Sequence, residues 1–463
     1  MIPDREATIV SQPADHRGGS IVYVSLLTGV AALGGLLFGY DTAVIAGAIK
    51  YIKAQFVLDA VLEGWAVSSV LVGCMIGASL AGMISDRFGR KRMLLLAAVL
   101  FAISAAGAAL PRNLTEFVLA RLLGGFAVGA ASMLCPLYIA EVAPAGIRGR
   151  LVSLNQVAII SGMLVVSIVN WLIASPTDEG WNVATGWRWM FASGALPAAF
   201  FLAALFFVPE SPRWLTKQGR EDEALAVLSR VGGPAQAERE MKDIKETIAL
   251  EGASIAELFR PGVRLALGIA VVLAVLQQVT GINAVLYYAP KIFESAEVSA
   301  TRALLQTVAL QVVNLLFTLV AIQVVDRAGR RPLLLATSLA MGTSLVLLAG
   351  AFWLALSGTW IFLFTLAYVA SFAIAMGPVV WVVLAEIFPT RIRGRAMSVA
   401  TVALWVACYV VSQSVPWMFE NLGQAGTFLI YALMCLVSLV FVGAFVPETK
   451  GKSLEEIERS WRH

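Results

Sequence analysis

Long apolar runs separated by short polar segments dominate this chain. Met93–Leu110, Val263–Leu276, Leu333–Leu356 and Phe428–Val446 are the clearest. Several approach the ~20 residues that a helix needs to cross a bilayer. Elsewhere glycines interrupt the runs, as is usual in membrane helices. The pattern predicts about twelve spanning helices in an all-α membrane protein.

The polar segments between the runs alternate in charge content. Basic clusters occur at Arg87/Arg90/Lys91/Arg92, Arg148/Arg150, Arg213/Lys217/Arg220, Arg327/Arg330/Arg331, Arg391/Arg393/Arg395 and Lys450/Lys452. They fall in every second loop. The loops between them carry few bases: Lys50 and Lys53, Arg112, Arg188, then Lys291 and Arg302. By the positive-inside rule the Arg-rich loops and both termini are cytoplasmic, which requires an even number of spans. Residues 1–20 hold acids as well as bases, and the apolar run after them is too long for a cleavable signal.

The chain repeats itself. Asp86-Arg-Phe-Gly-Arg90 is echoed by Asp326-Arg-Ala-Gly-Arg330. Glu141 with Ile147-Arg-Gly-Arg150 is echoed by Glu386 with Ile392-Arg-Gly-Arg395, and Pro209-Glu210 by Pro447-Glu448. The offsets are 240, 245 and 238 residues (326 − 86, 386 − 141, 448 − 210). Three charged motifs at nearly one offset indicate two halves of about six spans each, in a parallel repeat. The predicted boundaries are a tail over 1–20, a six-helix bundle over 21–208, a cytoplasmic linker over 209–262, a second bundle over 263–446 and a tail over 447–463. In the linker, the segments from Arg220 and from Ala237 read as short amphipathic helices.

Composition agrees with a membrane protein. Of 463 residues, 59% are hydrophobic and 14% charged, against about a quarter charged in soluble domains. The mean hydropathy is +0.81. The net charge of +4 is spread over loop ends, whereas nucleic-acid binding needs one solvated basic face. Cys74, Cys135, Cys408 and Cys435 lie singly in apolar segments and read as small hydrophobes.

Chemistry lies inside the spans. A polar amide in a bilayer is costly unless it faces a cavity or a partner. The seventh span holds Gln277, Gln278, Asn283, Tyr287 and Tyr288. Gly281 between them is placed to break the helix, as in transporter binding sites. On a continuous helix, Gln277, Gly281 and Tyr288 share a face. Gln156 and Asn314 add amides elsewhere, and Trp381 follows the Gly377-Pro378 kink. Neutral donors and acceptors with an aromatic wall suit a polyhydroxylated solute.

Asp41 is a carboxylate alone in an apolar span. The only histidines, His16 and His463, are near the termini, so any proton carrier within the membrane is a carboxylate. Counting ~1.5 Å per residue from the outer ends places Asp41 and Arg121 at matching depths, ~13 and ~12 Å. Burial raises a carboxyl pKa and a neighbouring guanidinium lowers it, so separating the two would let a proton bind. At the loops, the Arg and Lys residues after Asp86 and Asp326 can pair with Glu141 and Glu386, latching helix ends until one half rocks against the other. The expected cytoplasmic gate comprises Asp86, Arg87, Arg90, Glu141, Arg148, Glu210 and Arg213, with Asp326, Arg327, Arg330, Glu386, Arg393 and Glu448.

Six motifs in order, Gly34-Gly-Leu-Leu-Phe-Gly39-Tyr40-Asp41, Asp86-Arg-Phe-Gly-Arg90, Pro209-Glu-Ser-Pro-Arg213-Trp-Leu, Gln277-Gln278-Val-Thr-Gly281-Ile-Asn283, Gly377-Pro378-Val-Val-Trp381 and Pro447-Glu-Thr-Lys-Gly451, resemble the sugar porter family of the major facilitator superfamily. The resemblance runs from about Leu33 to Glu456. It implies twelve transmembrane helices in two six-helix parallel-repeat bundles and alternating access around a central sugar site. It further implies a monosaccharide substrate such as D-xylose, D-glucose or a similar aldose, a proton as partner, and no cofactor or metal. By the same resemblance Gln156, Gln277, Gln278, Asn283, Asn314 and Trp381 contact sugar, Phe38, Tyr288, Phe372 and Trp405 line the pocket, and Asp41 and Arg121 couple the proton. The chain departs from the pattern of one proton-coupled bacterial member at Leu404 and Met163, where that member carries amides, and at Gly194, where it carries a carboxylate. A proton-independent facilitator and a sugar sensor are the alternatives. An enzyme is disfavoured by the lack of a P-loop, HExxH or GxSxG. Oligomerisation leaves no mark on the sequence, and a monomer in the lipid bilayer is the simplest expectation.

Overall fold

The computed structural model describes residues 20–144, 146–175, 177–249, 258, 263–388 and 392–450, apart from the side chain of Asp326. Most of the two predicted tails and the end of the predicted linker lie outside these residues, as do His16, Arg391, Lys452 and His463.

The described residues form helices and no strand. Six spans come first: α1 (Ile21–Phe56), α2 (Ala60–Phe88), α3 (Arg90–Ala109), α4 (Leu114–Val142), α5 (Arg148–Ala174) and α6 (Glu179–Leu205). Three short helices follow: α7 (Pro212–Lys217), α8 (Glu221–Gly232) and α9 (Pro234–Ala249). The second set of spans begins with α10 (Val263–Val279) and α11 (Ile282–Glu294), which share one span. It continues with α12 (Ala300–Ala328), α13 (Arg330–Trp353), α14 (Gly358–Glu386), α15 (Arg393–Asn421) and α16 (Gly423–Phe445). Among the described residues, twelve segments are thus long and apolar enough to cross a membrane, six in each half. Exposed leucines, valines and phenylalanines such as Leu196, Phe200, Leu339 and Val440 clothe the outside, as a lipid-facing surface requires.

Within each half the spans pair in the same way. In the first, α1 packs on α5, α2 on α4, and α3 on α4 and α6. In the second, α10 packs on α15, α12 on α14, and α13 on α14 and α16. Small residues set the spacing. A Cβ on Gly125 would run into the main-chain carbonyl of Val70, and one on Gly39 into that of Ile159. Backbones in contact recover packing energy where no hydrophobic drive exists between helices in lipid. The halves meet through α1, α2 and α5 against α11, α15 and α12.

The α7–α9 segment has a core of its own, made of Trp214, Leu215, Ala224, Val227, Leu228, Ala237 and Met241. It is tied to the first half: the Trp214 indole donates to the Asp86 carbonyl at 3.0 Å, and the Ser20 N–H to the Arg230 carbonyl at 3.2 Å.

Among the described residues, three spans depart from continuous α-helix, α6 at a π-helical turn over Asn182–Gly186 and again at Ser193 and Gly194, and two others at their centres. Between α10 and α11 the chain unwinds at Thr280 and Gly281, with Gly281 at φ 96°. That left-handed conformation is cheap only for glycine, and a Cβ there would also press on the Tyr431 ring at 2.6 Å. The Tyr368 hydroxyl donates to the Thr280 carbonyl freed by the break. In α14, residues Phe372–Met376 form a π-helical turn before Gly377 and Pro378. Proline has no N–H to return to the preceding turn. The break changes the sequence expectation. Gln277 and Tyr288 lie on separate half-helices and do not share the continuous face that their spacing suggested.

Candidate solute and proton site

The amides of the seventh span form a directed chain. Asn283 Nδ2 donates to Gln278 Oε1 at 2.6 Å, and Gln278 Nε2 donates to Gln277 Oε1 at 3.2 Å. Gln277 Nε2 then donates to the carbonyls of Met376 and Gly377, at 2.7 and 3.0 Å. The relay ends on the opened turn of α14, so one broken span braces the other. Such mutual satisfaction makes buried amides tolerable in lipid. Asn283 also reaches Cys408 Sγ at 3.1 Å. On α12, Asn314 Nδ2 donates to Gln311 Oε1 at 3.2 Å.

Aromatic groups flank these amides. The ring of Phe38 on α1 lies 5.8 Å from that of Trp405 on α15, across the seam between the halves. Trp405 is buried, yet its indole N–H has no partner among the described residues. Phe372 and Trp381 are half-buried on α14, and Gln156 is half-buried on α5. Leu404 beside Trp405 is buried, and Met163 is half-buried about two turns beyond Gln156. Tyr288 takes a different place from the one expected. It is wholly enclosed, donates to the Ser412 carbonyl at 3.0 Å and stands edge-on to Phe419. It braces α11 against α15 and offers no free hydroxyl.

Asp41 and Arg121 meet as the depth arithmetic predicts. Arg121 Nη1 lies 3.0 Å from both carboxylate oxygens, and Nη2 donates to the Asp41 carbonyl at 3.1 Å. The Arg121 side chain has no exposed surface and that of Asp41 is 13% exposed. The guanidinium also sits 5.4 Å over the Phe191 ring. A small cavity of about 10 Å³ opens on Asp41, with Tyr40, Phe101, Phe191 and Gly194 in its wall. That is room for about one water molecule. The Tyr40 and Ser193 hydroxyls are 2.6 Å apart beside it. The pair is an oppositely charged couple held out of bulk solvent beside a space of one-water size.

At the Arg-rich end, each half carries the same clamp. In the first, Arg90 grips Glu141 through Nε and Nη2, both at 3.1 Å, and Asp86 at 2.7 Å. Glu210 accepts the N–H groups of Arg90 and Lys91, and so caps the start of α3 with a negative charge. In the second, Arg330 pairs with Glu386 at 2.9 Å, and Glu448 accepts the N–H groups of Arg330 and Arg331. Gly89 and Gly329, at φ 103° and 90°, make room for these carboxylates. Arg148 and Arg393 each donate to the end of the preceding helix, at Ala143 and Phe388. Arg87 lies over the neighbouring Phe88 ring, Arg213 is engaged, and the Arg327 carbonyl accepts from Lys450. These clamps bind helices inside one half. They join neighbouring helix ends, as the loop motifs suggest, and none of these described pairs crosses to the other half.

Burial pushes the Glu448 carboxyl up, but the N–H donors of Lys450, Arg330 and Arg331 outweigh it and hold it below its ordinary range. Another set of charges, with no assigned role in the sequence, gathers at the end away from the Arg-rich loops, with Glu63, Lys53 and Lys291 foremost. Their signal was present: Lys50, Lys53 and Lys291 stand alone in otherwise base-poor loops.

Comparison with known proteins places the chain among transporters. The family model described as "Sugar (and other) transporter" matches residues 27–461. The D-xylose-proton symporter of Escherichia coli is 43% identical over 471 residues, covering 95% of this chain and 96% of the relative. The arabinose-proton symporter of Bacillus subtilis is 41% identical over 447 residues, covering 96% of each. Among solved structures, the partially occluded inward-open form of the xylose transporter XylE from E. coli superposes with a TM-score of 0.85 at 43% identity, covering 93% of this chain and all of that one.

Proposed function

This chain belongs to the sugar transporter family, and from that premise we propose that it imports a monosaccharide together with a proton by alternating access. It is a transporter rather than an enzyme. Its substrate is an aldose of the D-xylose or D-glucose kind, and it works as a monomer in the plasma membrane. The Arg-rich loops and both termini are cytoplasmic. The working units are two bundles, 21–208 and 263–446, joined by a linker over 209–262, with tails over 1–20 and 447–463.

The observation that carries the proton reading is the buried Asp41–Arg121 pair beside a cavity of one-water size. Protonation of Asp41 removes the charge that holds Arg121. The freed guanidinium changes the packing of α1 on α4, next to the Phe38–Trp405 contact across the seam. Sugar binds among Gln156, Gln278, Asn283, Asn314, Trp381, Phe372 and the unpartnered Trp405 N–H, with Gln277 aligning the amides from behind. Asp86, Arg90, Glu141 and Glu210, with Arg330, Glu386 and Glu448 in the other half, keep each bundle rigid as it rocks.

A second reading, a proton-independent facilitator, is favoured by Gly194, which by the resemblance stands where the bacterial D-xylose–proton symporter carries a carboxylate. One experiment separates them. Purified protein in liposomes is given labelled D-xylose or D-glucose with and without an inward proton gradient. Symport predicts accumulation above the outside concentration only with the gradient. Equilibration that ignores the gradient would refute symport and leave facilitation; no sugar movement would refute both.

A further inference from the structure

We propose that Glu63 is the centre of an ion-pair gate that closes the two halves at the end away from the Arg-rich loops. The inference rests on the alternating-access reading above and adds residues that no part of that reading uses.

Glu63 lies at the start of α2 with its side chain only 2% exposed. Lys53, from α1 of the same half, reaches one carboxylate oxygen at 2.7 Å. Lys291, from α11 of the other half, reaches the second at 2.6 Å. Two further pairs cross the seam. Lys50 lies 3.1 Å from Glu294, and Lys53 lies 3.8 Å from Glu420. Neutral contacts add to them: Ser68 donates to Gln413 at 2.7 Å, and Gln413 donates to the Val61 carbonyl at 2.9 Å. Beside Glu63, a Cβ on Gly64 would run into the main-chain carbonyl of Gln413. The helices α2 and α15 therefore touch backbone to backbone where the charges gather.

The arrangement has the chemistry of a reversible closure. Removing one partner of a buried ion pair is costly because the other charge is left alone. Glu63 avoids that fate, because Lys53 travels with it on the same half. When Lys291 withdraws with the other half, the carboxylate keeps one cation and gains water. The charge pairs that cross the seam exist only in the closed form, so they bias the equilibrium toward it by their differential energy. The Arg90–Glu141 and Arg330–Glu386 clamps cannot do this, since both partners of each move together.

The test measures the gap directly. Cysteines at Val61 and Leu422, both exposed near the ends of α2 and α15, carry spin labels in a background with the four native cysteines replaced by alanine. Pulsed electron resonance in lipid nanodiscs then gives the distance distribution. Lys291→Gln and Glu63→Gln should each raise the ratio of long to short distances by about ten-fold. The two together should exceed the larger single effect little, because they remove one shared contact. Lys50→Gln, at a partly exposed site, should shift the ratio the same way by less, and it keeps the test decisive if Glu63→Gln fails to fold. Distributions unchanged in Lys291→Gln and Lys50→Gln, or shifted toward the short distance, would overturn the gate. Sugar counterflow by the unsubstituted protein in liposomes is measured alongside. Its absence would sink the transport reading, whereas an unchanged distance in a protein that exchanges sugar sinks the gate alone.

Discussion

Replacing Asp41 with asparagine tests the proton reading at its centre. Arg121 has no exposed surface, and its Nη1 is shared between the two Asp41 oxygens at 3.0 Å each. Asparagine is of equal size and keeps one acceptor oxygen, and the main-chain carbonyl that accepts Nη2 is untouched. What it removes is the counter-charge. Breaking a buried pair in this way costs ~3–5 kcal/mol, of which the retained hydrogen bonds and the Phe191 ring recover a part. The variant should therefore melt several degrees lower but still fold. Transport should change in kind. If one proton enters with each sugar, a gradient of about one pH unit is worth ~1.4 kcal/mol and drives about ten-fold accumulation. Asp41→Asn should bring the inside concentration up to the outside level and no further, at any gradient. Exchange of labelled for unlabelled sugar should persist, because the amide relay is not touched. The assay is proteoliposome uptake with and without the gradient, with counterflow as control. About ten-fold accumulation by the variant would refute the role of Asp41, and with it the reasoning from burial and charge.

Three further outcomes follow from the geometry. Gly281→Ala should lower stability by ~1–3 kcal/mol and the sugar affinity with it, since a Cβ at φ 96° is strained and meets the Tyr431 ring; thermal unfolding with and without sugar reads both. Trp405→Phe removes an N–H that has no partner among the described residues, so the melting temperature of the sugar-free protein should barely move while the sugar Kd rises ~5–10-fold, the loss of one hydrogen bond. The lowered pKa of Glu448 means that its contribution to stability is complete above the usual carboxyl value of 4.5 and is lost as pH falls through the lowered value; the gap in melting temperature between the unsubstituted protein and Glu448→Gln should close in that acid window, and a gap that stays constant down to about pH 3 would contradict the assignment.

The parts of this molecule that depend on bulk hydrophobicity were legible from residues alone. Runs such as Met93–Leu110 and Phe428–Val446 end within one residue of observed spans, because helix length in a bilayer is set by thickness. The duplicated motifs were legible because both copies meet the same local need, a glycine turn whose helix start takes a carboxylate. Asp41 and Arg121 were paired by counting, since rise per residue is constant in a straight helix. Counting failed where the helix is not straight. The break at Gly281 turned Tyr288 away from Gln277, and no spacing rule survives an unwound turn. Nor could spacing tell that Gln277 serves the carbonyls of Met376 and Gly377, because that need arises from the opened turn before Pro378 about a hundred residues away. The charges around Glu63 were read as topology signals. Their meaning depends on which loops face each other across the seam, and sequence order does not record that.

The carboxylates that cap α3 and α13 come from just beyond the last span of the same half. Glu210 and Glu448 thus tie the end of each six-span set back to its third member. A bundle fastened in this way supplies the polar groups at those helix ends from its own chain and borrows none from its neighbour. The surface between the bundles is then relieved of one duty that interfaces in membranes usually carry, the satisfaction of stranded backbone groups. It can part on one side and close on the other while those helix starts stay intact, and the cost of each excursion falls on the side-chain contacts along the seam, where single substitutions can tune it.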